Sequence, residues 1–113
     1  MNKKIAKALM DANVVKFGEF TLASGLISPI YVDLRVLPSY PDSMGVVAEE
    51  LAKVMKKLNP EVVAGAETAG IPLATAISLK TKIPMIYVRK QPKSYGTKEM
   101  VEGVLKRGAK TAL

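Results

Sequence analysis

The chain has 113 residues, 49% of them hydrophobic and 24% charged, with a formal net charge of +7, no cysteine and no histidine. That length allows one small domain with a packed core, and the balance is that of an ordinary globular protein. Without a thiol or an imidazole there is no disulfide framework, no Ser-His-Asp or Cys-His catalysis and no zinc centre of the usual kind, so chemistry rests on Lys, Arg, Asp, Glu, Tyr, Ser, Thr and backbone groups.

Ile5, Ala8, Leu9 and Ala12 fall at helical spacing, which predicts a short amphipathic helix over 2–12. Val14, Val15, Phe17, Phe20 and Leu22, and then 29–34, are separated by Ser24, Gly25 and Ser28, a pattern of short antiparallel strands joined by turns. Ser39, followed by Pro41 and Asp42, predicts a helix start of the capping-box type. Met44, Val47, Ala48, Leu51, Met55 and Leu58 continue that helix as one stripe, Lys53, Lys56 and Lys57 suit its last turn, and Asn59-Pro60 stops it. Residues 62–66 read as a buried strand, 67–70 as a turn, 71–80 as an apolar helix with Pro72 in its first turn, and 84–88 as a fully buried strand. Strand, helix and strand at this spacing make a βαβ unit, hence a parallel sheet with a right-handed crossover. A further strand is expected over 100–105, a turn over 106–108 and the opening of a last strand over 110–113, so that the sequence ends inside a sheet.

Two stretches carry chemistry. The turn Ala66-Glu67-Thr68-Ala69-Gly70 precedes a helix whose N-terminal N–H groups face it, a cradle for phosphate or pyrophosphate. It matches neither G-x-G-x-x-G nor G-x-x-x-x-G-K-[ST]. In IPMIYVRKQPKSYGT, over 83–97, an apolar strand turns abruptly into a cationic loop with Arg89, Lys90 and Lys93, and Pro92 and Gly96 exclude a helix there. Either stretch alone fits an ordinary solvated connection. Side by side at neighbouring strand ends, they would offer a polyanion both backbone donors and fixed cations. The net charge also fits acidic ligands, or simply a lysine-rich soluble surface. A nucleic-acid partner is not expected, because aromatics are only 5% and the lysines are scattered over several elements. No apolar run reaches bilayer length and the N-terminus lacks a signal-peptide pattern, so a cytoplasmic protein with no membrane partner is expected.

The blocks FGEFTLASGLISPIYVDLR (17–35), GAETAGIPLATA (65–76) and YVRKQPKSYGTKEMVEG (87–103) closely resemble orotate phosphoribosyltransferase, in the family's order and spacing. The last block is the most specific, with an R-K-x-x-K core and a downstream E-G pair. The resemblance implies a type I phosphoribosyltransferase fold, a parallel sheet flanked by helices with a small N-terminal hood. On this chain that means a single partial domain over 1–113, with a hood-like subregion over 1–37 and a βαβ core portion over 38–113.

It also implies a transferase of pyrimidine (UMP) biosynthesis, converting orotate and phosphoribosyl pyrophosphate to orotidine monophosphate and pyrophosphate with Mg2+ bound. No protein metal ligand is assigned. By matching positions, Lys93 and Arg89 would be catalytic, and Arg89, Lys90, Lys93 and Tyr95 would bind substrate from a loop shared between the subunits of a homodimer. Tyr95 stands where many members have histidine. Glu67, Thr68, Ala69 and Gly70 would form the pyrophosphate turn, and 20–28, with Ser24 and Gly25, would face the base. Ala23 and Ala69 stand where many members have lysine. The family's phosphoribosyl pyrophosphate signature would begin after Leu113, so the chain is expected to be truncated before it. The alternative is a non-catalytic, nucleotide-binding or regulatory relative.

Overall fold

The computed structural model describes residues 2–113 except 93–95 and 97–99. These residues divide into two compact units, Met1–Val47 and Ala48–Leu113.

The first unit opens with α1 (Lys3–Asp11), capped by Asn2, whose side-chain oxygen accepts from Lys4 N at 3.0 Å and Ile5 N at 3.2 Å. This is the expected chemistry for an N-terminal asparagine. The apolar face of α1 puts Ala8 inside, and the exit turn buries Ala12 and Val14 completely. Asp33 N donates to Val14 O at 2.8 Å. Between these two residues runs an antiparallel hairpin of β1 (Val15–Thr21) and β2 (Ile27–Val32), paired from Val15↔Val32 to Thr21↔Ile27 with a bulge between Phe17 and Phe20. Gly25, at φ +86°, occupies the left-handed position of its turn, and its N–H donates to Leu22 O at 2.9 Å.

Two sequence expectations change here. The strand ends at Val32, because the Asp33 carboxylate accepts from Arg35 N and starts a 3-10 helix over Leu34–Ser39 that periodicity did not signal. Ser39 therefore closes that helix and does not cap the next one. Tyr40 O accepts from Met44 N at 2.9 Å instead, and Pro41 takes the first position of α2 (Pro41–Leu58), where its missing N–H costs nothing. The helix stops at Asn59, whose φ of +50° and N–H bond to Met55 O form a left-handed cap.

The second unit holds a four-stranded sheet in the order β5-β4-β3-β6. β3 (Val62–Ala66) pairs in parallel with β4 (Met85–Val88) and with β6 (Thr111–Ala112), and β5 (Val101–Glu102) lies antiparallel on the other side of β4. α3 (Gly70–Thr81) connects β3 to β4. Alternating side chains of β3 serve opposite faces of the sheet. Val63 joins Ala48, Ala74 and Ile77 under the helices, while Val62 and Ala64 meet Ile86 on the far side, with Val101 and Ala109 against them. Burial on both faces explains why β3 reads as a continuous apolar run.

β4 is less enclosed than its sequence implies. Ile86 is buried, whereas Met85, Tyr87 and Val88 are half-buried, because the neighbour on that side is only two residues long. The strand expected over 100–105 is that short because Gly103, at φ +110°, bends away where a Cβ would lie 3.0 Å from Ile86 Cγ2.

Candidate active site

The turn after β3 and the segment after β4 leave the same end of two adjacent parallel strands, in the register Gly65↔Tyr87 and Ala66↔Val88. The first residue of the turn is tied to β4, since Glu67 N donates to Val88 O at 2.9 Å. Its carboxylate then accepts from Lys90 N through Oε2 at 2.7 Å. The turn and the cationic segment are thus one hydrogen-bonded unit, held by a charge-assisted bond between residues far apart in the chain. The Glu67–Thr68 peptide is cis, and Ile71 N closes the turn on Thr68 O at 3.2 Å. Ala69 sits at the cap of α3 without a side-chain hydrogen bond, so no capping side chain competes for the first-turn N–H groups.

Glycines set how closely β3 and α3 approach. A Cβ on Gly65 would come within 2.5 Å of Gly70 O and 3.0 Å of Ala74 Cβ, so only glycine brings strand and helix together at that point. Beside this contact lies a groove of about 270 Å³ lined by Leu51, Met55, Val63, Leu73 and Ile77. Its walls are apolar, which suits packing side chains and not phosphate oxygens.

The expected site residues fall as follows. Glu67, Thr68 and Ala69 form the turn, Gly70 is the first residue of α3 and not the last of the turn, and Arg89 and Lys90 follow β4 directly. Arg89 N donates to Met100 O at 2.6 Å, so both ends of the cationic loop are fastened by the β4–β5 pairing. Lys90 is exposed. Lys93 and Tyr95 lie outside the described residues. Ser24 and Gly25 belong to the first unit, where they shape the β1–β2 turn, with Leu26 N donating to Ser24 Oγ at 3.4 Å.

Sequence reasoning passed over Glu102 as a site residue. It lies on β5, 22% exposed at its side chain, with Oε1 3.7 Å from Arg89 Nη1. The E-G pair in the third block was the available signal, but its meaning needs the β4–β5 register. Among the described residues no group of three or more His, Cys, Asp or Glu converges on a common point.

A parallel βαβ core flanked by helices is the arrangement of the type I phosphoribosyltransferase fold. No protein-family model matches the chain. The fold is shared with a structure of Leishmania donovani UMP synthase, at a TM-score of 0.81 and 44% identity, over 96% of this chain and 23% of that one. An orotate phosphoribosyltransferase of Staphylothermus marinus is 45% identical over 103 residues, which is 91% of this chain and 51% of that protein. One of Methanocaldococcus jannaschii is 39% identical over 110 residues, 97% and 62% respectively.

The chain is a relative of the orotate phosphoribosyltransferases. It spans about half to three-fifths of the length of the curated relatives it matches. These relatives carry an enzyme's name, which does not favour the non-catalytic alternative.

Proposed function

We propose that the chain carries the diphosphate-binding part of an orotate phosphoribosyltransferase, which transfers the phosphoribosyl group of phosphoribosyl pyrophosphate to orotate and releases pyrophosphate. The observation that carries this reading is the bond from Lys90 N to Glu67 Oε2, which joins the turn to the cationic segment at adjacent strand ends. The similarity to orotate phosphoribosyltransferases supports orotate as the base.

Breaking the bond between the anomeric carbon and pyrophosphate builds positive charge on the ribose and negative charge on the leaving group. Arg89, Lys90 and Lys93 supply fixed positive charge where the leaving group forms, and the first-turn N–H groups of α3 donate to its oxygens. Lys93 and Tyr95 enter this reading by resemblance of the loop, as do Ser24 and Gly25 for the base. The subregion 1–37 acts as the hood and 38–113 as the core portion.

The described residues fit a magnesium ion poorly as a protein-held cofactor, since no carboxylate cluster converges and the one carboxylate in the turn is bonded to Lys90 N. Mg2+ would be held by the substrate's diphosphate, and the chemistry it would supply there is to offset the charge of the leaving group. A homodimer that shares the cationic loop, and a cytoplasmic location, complete the proposal. Among the described residues no helix is long and apolar enough to cross a membrane.

Isothermal titration of the chain with phosphoribosyl pyrophosphate and magnesium, with and without orotate, tests the reading. Saturable heat that is lost in Lys93→Ala is the expected result. Absence of binding at millimolar ligand would remove the diphosphate site from this chain.

A further inference from the structure

Arg89 is the first cation of the loop, and its surroundings are unusual for a side chain that must meet a free anion. Its side chain is 32% exposed. Nε is buried and, among the described residues, has no hydrogen-bond partner. The carboxylate within ion-pair distance, among the described residues, is Glu102, and its 3.7 Å separation from Nη1 is too long for a hydrogen bond.

The pairing follows from register. Tyr87 lies opposite Glu102 and Val88 opposite Val101, so Arg89, two residues beyond Tyr87, shares a sheet face with Glu102 and sits diagonal to it. Arg89 is also tethered through its backbone N–H to Met100 O, so the guanidinium pivots about a fixed root. The ion pair is therefore built into the fold, yet it leaves the planar fork of the arginine mostly unused. A diphosphate offers several charged oxygens in the geometry such a fork prefers.

We propose that Glu102 is a positioning residue that holds the Arg89 guanidinium against β5 in the unliganded protein and competes with a diphosphate ligand for it. This rests on the reading of the loop as a diphosphate site and deepens it. Glu102 sets the resting position of the arginine and subtracts from the chain's affinity, so ligand must displace the carboxylate before Arg89 contributes. A carboxylate that served only to support the hairpin would have the opposite effect, since its loss would loosen the loop and weaken binding.

The test is titration of the whole chain with inorganic pyrophosphate at low salt, comparing wild type with Glu102→Gln, Glu102→Asp, Arg89→Gln and the double variant Glu102→Gln/Arg89→Gln. Glu102→Gln should bind about two- to fivefold more tightly, the size expected when one partly exposed ion pair no longer competes. Glu102→Asp should stay near wild type. The gain should vanish in the double variant, which binds no better than Arg89→Gln alone. Glu19→Gln, which removes an equal charge from an exposed position in the other unit, should leave affinity unchanged.

Wild-type binding with unchanged or weaker affinity in Glu102→Gln overturns the inference and leaves the diphosphate reading standing. The same gain in the Arg89→Gln background also overturns it, because the effect then does not pass through the arginine. Binding by neither wild type nor Glu102→Gln overturns both the inference and the reading. Binding by Glu102→Gln alone supports both.

Discussion

Asp33 is 7% exposed and sits in a cage of cations. Arg35 donates to its Oδ1 from N at 3.1 Å and from Nε at 2.7 Å, and to its Oδ2 from Nη2 at 3.2 Å, while Lys16 Nζ lies 3.7 Å from Oδ2. The Arg35 side-chain bonds hold the Asp33 carboxyl below its ordinary range, against the opposing effect of burial, and the Arg35 backbone bond and the Arg35 and Lys16 charges add to the lowering. A carboxylate whose folded value is depressed stabilises the fold fully above its ordinary value and loses that contribution as pH falls through the lowered one. Wild type should therefore exceed Asp33→Asn in stability at neutral pH, and the two should converge in acid below about pH 4. Denaturant melts at a series of pH values check this, and parallel curves at every pH would refute it.

At the scale of elements, the approach of β3 to α3 decides whether the turn can form. Gly65 and Gly70 face each other there, but their demands differ. A Cβ on Gly65 would meet Gly70 O at 2.5 Å, whereas a Cβ on Gly70 would find Gly65 C at an ordinary 3.5 Å. Gly65→Ala should cost about 1–3 kcal/mol, as overpacking against backbone does, and should displace the Glu67 turn. Gly70→Ala should stay within about 0.5 kcal/mol of wild type. Thermal unfolding of the two variants separates these outcomes, and equal losses would show that the contact is softer than its geometry implies.

At the scale of the whole molecule, the chain exposes more apolar surface than scattered surface side chains account for. Phe17, at 73% exposure, pairs across the β1–β2 hairpin with Ile30, and Val32, two residues further along β2 on the same face, is also exposed. Contiguous apolar surface of this kind drives association. Phe17→Ser should shift concentration-dependent self-association, followed by sedimentation velocity, to higher protein concentration. It should change unfolding free energy by no more than about 0.5 kcal/mol, since the ring is mostly in water already. Identical sedimentation of the two proteins would place association elsewhere.

Much of the chain from α2 to β4 is legible in the amino-acid order, because period and punctuation are local. The stripe from Met44 to Leu58 with its Asn59-Pro60 stop, the doubly buried run of β3 and the glycine-bearing turn into α3 need no distant partner to be recognised. The abrupt change from MIYV to Arg89 and Lys90 is equally local, and so is the family resemblance that those letters carry. The 3-10 helix after Asp33 was hidden because it depends on one side chain bonding back to the main chain, which leaves no hydrophobic period.

The meetings between segments come from the assembled fold. Lys90 N finds Glu67, Arg89 lies beside Glu102, and Gly65 can carry no side chain because Gly70 is opposite. Each follows from strand order and register, with β4 set between β3 and β5. Register is fixed by burying both sheet faces at once, a property of the assembled sheet that no single stretch of sequence contains.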